Sequence, residues 1–223
     1  MRVELSAGPI EVTDEGTGTP LLLLHGLFTD ERLWDPVVPL LTTRGFRCIR
    51  PTLPLGSHRV PMHPDADLTP YGLARIIADL IRALDVAPVS VVSNDTATAL
   101  TQLLLVEHPD VVAAAVLTSG DCYEYFFPPV FRPLTLMPRI PGGLRLLGRT
   151  VRVRLIRKSP LAFGWLTRRG IDDEMARRWS ESVITNAEVR RDTGKVLRGV
   201  DRKITARVVP NTAQPATPAS TVP

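Results

Sequence analysis

Residues 89–107 read VSVVSNDTATALTQLLLVE, and the reading of this stretch decides the fold. Val89–Val92 is a β-branched apolar run and predicts a buried strand. Thr96–Glu107 is apolar along most of its length and predicts a helix. Only Ser93, Asn94 and Asp95 lie between them. A chain that turns so abruptly from strand to helix needs small residues where the two elements approach, and Ser93 and Ala97 supply them. Asp95 stands at the tip, beyond the carboxyl end of the strand, where open α/β sheets place their sites. An aspartate at a helix start also serves as an N-cap, accepting from first-turn N–H groups. Both readings are open at this point.

The pattern repeats on either side. Leu21–Leu24 is a buried strand ending at His25-Gly26. Glu31–Leu41 has Leu33, Trp34, Val37, Val38 and Leu41 at helical spacing. Phe46–Ile49 predicts another strand, and Pro51–Asp67 a proline-rich loop. Thr69 is placed to cap a helix over Tyr71–Leu84, whose Leu73, Ile76, Ile77, Leu80, Ile81 and Leu84 form one stripe. Val112–Leu117 closes the series as a strand. Alternating strands and helices predict an α/β fold with a mostly parallel sheet and right-handed crossovers. Strands this apolar predict a sheet covered on both faces.

The second half changes character. Tyr125–Gly143 is broken by prolines, and helical patterns follow at Leu144–Ile156, Asp172–Ile184 and Ala187–Val200. The acidic triplet Asp172-Asp173-Glu174 suits the first turn of a helix. The expected organisation is a core over 1–124, a helical cap over 125–203 and a disordered tail over 204–223, rich in Pro, Thr and Ala.

Charge is uneven. Residues 1–130 hold 8 Lys+Arg against 16 Asp+Glu, whereas residues 131–203 hold 18 against 7. With no aromatic or RNA-binding pattern beside the arginines, nucleic acid is not an expected partner. The basic block is expected to complement the acidic half or to be solvated. No apolar run is long enough to span a bilayer, and the N-terminus has no signal-peptide core, so a cytoplasmic location is expected. Cys48 and Cys122 have no metal-ligand spacing, and reduced thiols are expected there.

His25-Gly26-Leu27-Phe28 after the first buried strand, the Trp34 segment, Arg50-Pro51-Thr52-Leu53-Pro54-Leu55-Gly56, the Asp95 turn and Glu107-His108-Pro109-Asp110-Val111-Val112 together resemble the α/β-hydrolase family, over about residues 10–200. The aspartate at the turn places the resemblance nearest the haloalkane dehalogenase and epoxide hydrolase branch. The resemblance implies a nucleophile elbow with Asp95 as nucleophile, attacking an apolar substrate of small or medium size to form an alkyl ester. It implies an oxyanion hole from the backbone N–H groups of Leu27 and Thr96. It makes Asp121 or Glu124 the candidate acid, and it gives His25 a structural role. It calls for no metal or organic cofactor, and it leaves oligomeric state open.

The chain departs from that branch at several positions. Thr96 stands where dehalogenases carry Trp, Leu27 where many carry Asn, and Phe28 where epoxide hydrolases carry Pro. Tyr123 and Tyr125 lie at the cap entrance, without clear counterparts to cap tyrosines. The family's base is a histidine beyond the cap, but this chain has only His25, His58, His63 and His108. The expectation is a C-terminus truncated relative to the family, with ester formation intact and hydrolysis stalled. The alternative is a hydrolase-fold protein that binds or scaffolds without turnover.

Overall fold

The computed structural model describes residues 1–121, 129–159 and 170–200. Glu124 and the tail over 204–223 lie outside them. Among the described residues six strands form one sheet in the order β1-β2-β4-β3-β5-β6. These are β1 (Arg2–Leu5), β2 (Gly8–Glu15), β3 (Thr19–Leu24), β4 (Phe46–Thr52), β5 (Val89–Asp95) and β6 (Val112–Gly120). The last four are mutually parallel, while β1 and β2 add an antiparallel edge. The expected α/β sheet is therefore present, with Leu21–Leu24, Val89–Val92 and Val112–Leu117 as parallel neighbours.

Side chains alternate across β3 and sort the core into two layers. Leu22 and Leu24 face one layer with Ile49, Val91 and the apolar stripe of α2 (Pro70–Ala83). α3 (Thr96–Glu107) joins that layer through Ala97, Leu100 and Leu104. Leu21 and Leu23 face the other layer, against Trp34, Val38 and Cys48. Cys48 is a buried free thiol. Thr69 caps α2 as expected, its hydroxyl accepting from the Gly72 N–H at 3.2 Å.

Three expectations need correction. The helix expected over Glu31–Leu41 is split into a 3₁₀ turn, Glu31–Trp34, and α1, Val38–Thr42. Pro36 and Pro39 provide no N–H for the interior of one continuous helix. The helix expected over Leu144–Ile156 is likewise two, α4 (Gly143–Arg152) and α5 (Arg154–Arg157), parted where Val153 turns extended. The sheet is not covered throughout: β6 is a sheet edge among the described residues, with Val116 57% and Leu117 43% exposed.

After the sheet come a 3₁₀ segment over Pro129–Arg139, the helices α4 and α5, and then α6 (Asp173–Thr185) and α7 (Ala187–Gly199). α6 and α7 are capped by Asp172 and Asn186. Among the described residues no Lys or Arg of the basic half makes an ion pair with a carboxylate of the acidic half, though the Lys195 charge helps hold the Asp67 pKa down. Its cations pair with their own neighbours, as in Arg157–Asp173, Arg152–Glu181 and Arg178–Glu174. Two of them also donate to backbone carbonyls of the first half: Arg191 to Met62 at 2.6 Å and Lys195 to Pro64 at 2.6 Å. No helix among the described residues is long and apolar enough to cross a membrane.

Candidate active site

Asp95 ends β5 and directly precedes α3 with φ 56° and ψ −130°. Positive φ in a residue with a Cβ is uncommon and costs of order 1–3 kcal/mol. A helix-capping aspartate adopts extended backbone and binds first-turn N–H groups with its side chain. Asp172 does so, with an extended backbone and its carboxyl accepting from the Met175 N–H at 2.7 Å. Asp95 has no extended backbone, and no side-chain capping bond of that kind is present. The ordinary capping geometry is thus absent.

Ser93 and Ala97 flank this turn and are both fully buried. Neither has positive φ, which falls on Asp95 itself. Small side chains are needed here for packing, not for backbone freedom. The approach is closest at Gly26, where a Cβ would lie 2.2 Å from Asp95 Oδ2 and 2.4 Å from Asp95 Cβ. From the β6 side, a Cβ on Gly120 would lie 2.3 Å from the Asp95 carbonyl oxygen. Glycines on the two neighbouring strand ends thus let the backbone close around one aspartate.

The backbone N–H groups of Leu27 and Thr96 both act on the Asp95 carboxyl, favouring its ionised form. They come from different segments, the turn after β3 and the first residue of α3. Burial opposes them and prevails, pushing the Asp95 pKa from 3.8 up to about 6. Asp121, one residue beyond β6, is only 5% exposed. Its pKa is pushed up to about 7, first by burial and then by the Asp95 charge, with a hydrogen bond from Thr96 pulling the other way. The Thr96 hydroxyl donates to Asp121 Oδ2 at 3.4 Å, and the Asp121 N–H donates to the Asp95 carbonyl at 3.3 Å. Of the two candidate acids, Asp121 is thus beside Asp95.

The histidines are elsewhere. His25 is fully buried, its Nε2 accepting from the Leu53 N–H at 2.8 Å. That bond leaves the proton on Nδ1, which donates to the Gly26 carbonyl at 2.9 Å. Burial lowers its pKa and keeps the ring neutral. His25 therefore staples the turn carrying Leu27 to β4's loop, as the resemblance implied. His63 Nδ1 lies 3.2 Å from the Ser6 carbonyl, and His108 sits at the end of α3. His58 pairs with Asp192 on α7, Nε2 to Oδ2 at 3.4 Å. No hydrogen bond or ion pair among the described residues joins any of the four to Asp95 or Asp121.

The His58–Asp192 contact spans 134 positions of chain and was not foreseen. Asp192 is fully buried and also accepts from the Met62 N–H and from Arg191 Nε, each at 2.9 Å. These bonds hold its pKa below the ordinary carboxylate value despite burial. Trp179 Nε1 likewise donates to Asp30 Oδ1 at 2.8 Å, and the Ser57 hydroxyl to the Trp179 carbonyl at 2.7 Å. These contacts fasten α6 and α7 to the loops around His25–Gly26 and Gly56. A cleft of about 400 Å³ beside them is lined by Arg32, Arg59, Arg177, Arg178 and Glu181 among others, and Asp95 is not in its wall.

The mostly parallel sheet, with a tight strand-to-helix turn at Asp95 and helices after it, defines an α/β-hydrolase fold. The chain belongs to the alpha/beta hydrolase family, whose pattern it matches over residues 21–220. A protein of Mycobacterium tuberculosis provisionally named a non-heme bromoperoxidase, BpoC, is 32% identical over 106 residues, covering 47% of this chain and 39% of that protein. An AB hydrolase superfamily protein of Gibberella zeae is 29% identical over 120 residues, 52% of this chain and 40% of its own length. The alignments thus span about two fifths of these relatives. The epoxide hydrolase CorEH superposes with a TM-score of 0.74 at 16% identity, covering 95% of this chain and 77% of the other. The ancestral haloalkane dehalogenase AncHLD2 gives 0.68 at 22% identity, with 93% and 72% covered. At these identities the two structures establish the fold.

Proposed function

We propose that the chain is a hydrolase acting on a small or medium apolar substrate through Asp95 as nucleophile. The observation that carries this reading is an aspartate held at positive φ against the bare Gly26, where the backbone N–H groups of Leu27 and Thr96 favour its ionised carboxyl. Attack by an Asp95 oxygen on an electrophilic carbon displaces a leaving group or opens a strained ring, and leaves an ester. When water later attacks that ester, negative charge develops on the carbonyl oxygen of Asp95 itself. The Leu27 and Thr96 N–H groups, which already favour the charged carboxyl, would stabilise that charge. Asp95 attacks only when ionised, so ester formation strengthens as pH rises through about 6. The substrate class is suggested by the folds superposed above, whose names denote epoxide and haloalkane chemistry.

The test is intact-mass measurement after incubation with alkyl halides and epoxides, followed by peptide mapping. A single adduct on Asp95, absent in Asp95→Ala, supports the reading. A second reading, binding without turnover, is favoured by one observation: the absence of any histidine bond to Asp95 among the described residues. Failure of every such compound to modify the protein, with binding intact, would put that second reading first.

A further inference from the structure

If Asp95 forms an ester, hydrolysis needs a base, and Asp121 is the buried carboxyl that shares Thr96 with Asp95 and feels its charge. Its position is fixed from three sides. Gly120 before it pairs with Asp95 across the β5–β6 ladder. Its N–H donates to the Asp95 carbonyl at 3.3 Å. Its own carbonyl accepts from Gln102 Nε2 at 3.2 Å, and its Oδ2 accepts from the Thr96 hydroxyl at 3.4 Å. Thr96 therefore turns its N–H to one carboxyl and its hydroxyl to the other. Among the described residues no cation pairs with Asp121, and the charge that bears on it is that of Asp95.

We infer that Asp121 is the general base for hydrolysis of the Asp95 ester, and that ester formation itself switches it on. The inference rests on the reading of Asp95 as nucleophile. In the free protein two carboxyls share an enclosed site, and burial first, then the negative charge on Asp95, raises the proton affinity of Asp121. Alkylation turns Asp95 into a neutral ester. The repulsion disappears while the burial stays, so Asp121 gives up its proton to water more readily than before. The new carboxylate then accepts a proton from a water molecule as that water's oxygen bonds to the ester carbon. Charge moves to the carbonyl oxygen, where the Leu27 and Thr96 amides would stabilise it. Collapse breaks the bond to the alkyl oxygen, which takes the proton back from Asp121 and leaves as the alcohol. Asp95 is left as a carboxylic acid and ionises to solvent. The charge state of the nucleophile thus shifts the protonation of the base, with no histidine in the sequence of steps.

The test follows the ester through time by quenched intact-mass spectrometry with 1-iodobutane and styrene oxide as probes, in ordinary water and in H₂¹⁸O. Wild type, Asp121→Asn and Asp121→Glu are compared. The expected result is that the Asp95 adduct forms in all three. In wild type it decays and carries ¹⁸O into the Asp95 carboxyl. In Asp121→Asn decay slows about 100-fold, the usual contribution of a general base, and in Asp121→Glu it recovers in part. Adduct formation in the variants is itself the control for folding, because it requires the intact turn. An adduct that is permanent in wild type, or that decays as fast in Asp121→Asn, overturns the assignment of Asp121 while leaving Asp95 as nucleophile. Absence of any adduct in wild type overturns both.

Discussion

Replacing Asp95 by Asn should make the protein more stable, in a manner that depends on pH. The folded state raises the Asp95 pKa from 3.8 to about 6, chiefly by burial. A raised carboxyl favours the folded state while protonated and disfavours it once ionised. Stability is therefore full below the unfolded value and is lost as pH climbs from about 4 to about 6. Each tenfold change in proton affinity is worth about 1.4 kcal/mol, so the full loss is about 3 kcal/mol. At pH 4 the same two values leave a loss of about 0.5 kcal/mol. Asn keeps the shape and one acceptor oxygen but carries no charge. The acceptor it gives up takes back up to about 1 kcal/mol. Urea denaturation should accordingly show Asp95→Asn more stable than wild type by about 2–3 kcal/mol at pH 8, with the gain nearly gone at pH 4. A variant no more stable at pH 8, or one with equal gains at both pH values, would show that desolvation of the Asp95 charge is not the cause.

Three further outcomes follow from the packing. Gly26→Ala puts a Cβ 2.2 Å from Asp95 Oδ2. Overpacking of that kind costs about 1–3 kcal/mol, and ester formation at Asp95 should fall tenfold or more, whereas an unchanged adduct rate would mean the turn yields freely. Ser93→Ala removes a buried hydroxyl that has no hydrogen-bond partner, so its denaturation midpoint should stay level or rise, and a loss above about 1 kcal/mol would reveal a partner. Asp192→Ala leaves the buried Met62 N–H without its acceptor, which should cost about 1–3 kcal/mol and speed amide exchange at Met62, a signal that slow exchange in the variant would refute.

What the sequence disclosed was mostly local. The strand, turn and helix of residues 89–107 are contiguous, so periodicity and small residues identify them, and Thr96–Glu107 has the observed helix ends. The β1–β2 hairpin is not legible in the sequence, because β1 has only four residues and β2 carries Glu11, Thr13, Asp14 and Glu15 among its apolar positions. The two split helices failed for a local reason of a different kind: apolar spacing persists across Pro36 and across Val153, while the backbone does not.

The site divides along the same line. The His25-Gly26-Leu27 turn pointed to a backbone donor, but only packing reveals that Gly26 must be bare because Asp95 fills the space of its side chain. The contacts Asp30–Trp179 and His58–Asp192 join residues 149 and 134 positions apart, and no spacing rule reaches so far. The decisive evidence about Asp95 was also beyond the sequence. An N-cap lowers the energy of its helix, and an aspartate placed only for that purpose would show extended backbone, a bond to the first turn and a depressed pKa. Asp95 shows positive φ, no capping bond and a raised pKa. Each of these raises the energy of the fold, and Asp121 adds a second desolvated carboxyl beside the first. Strain of this kind supports a functional hypothesis when it is observed rather than assumed. Two amides, two bare glycines and a pair of mutually repelling carboxyls meet at one turn, and stability alone offers no reason for that arrangement.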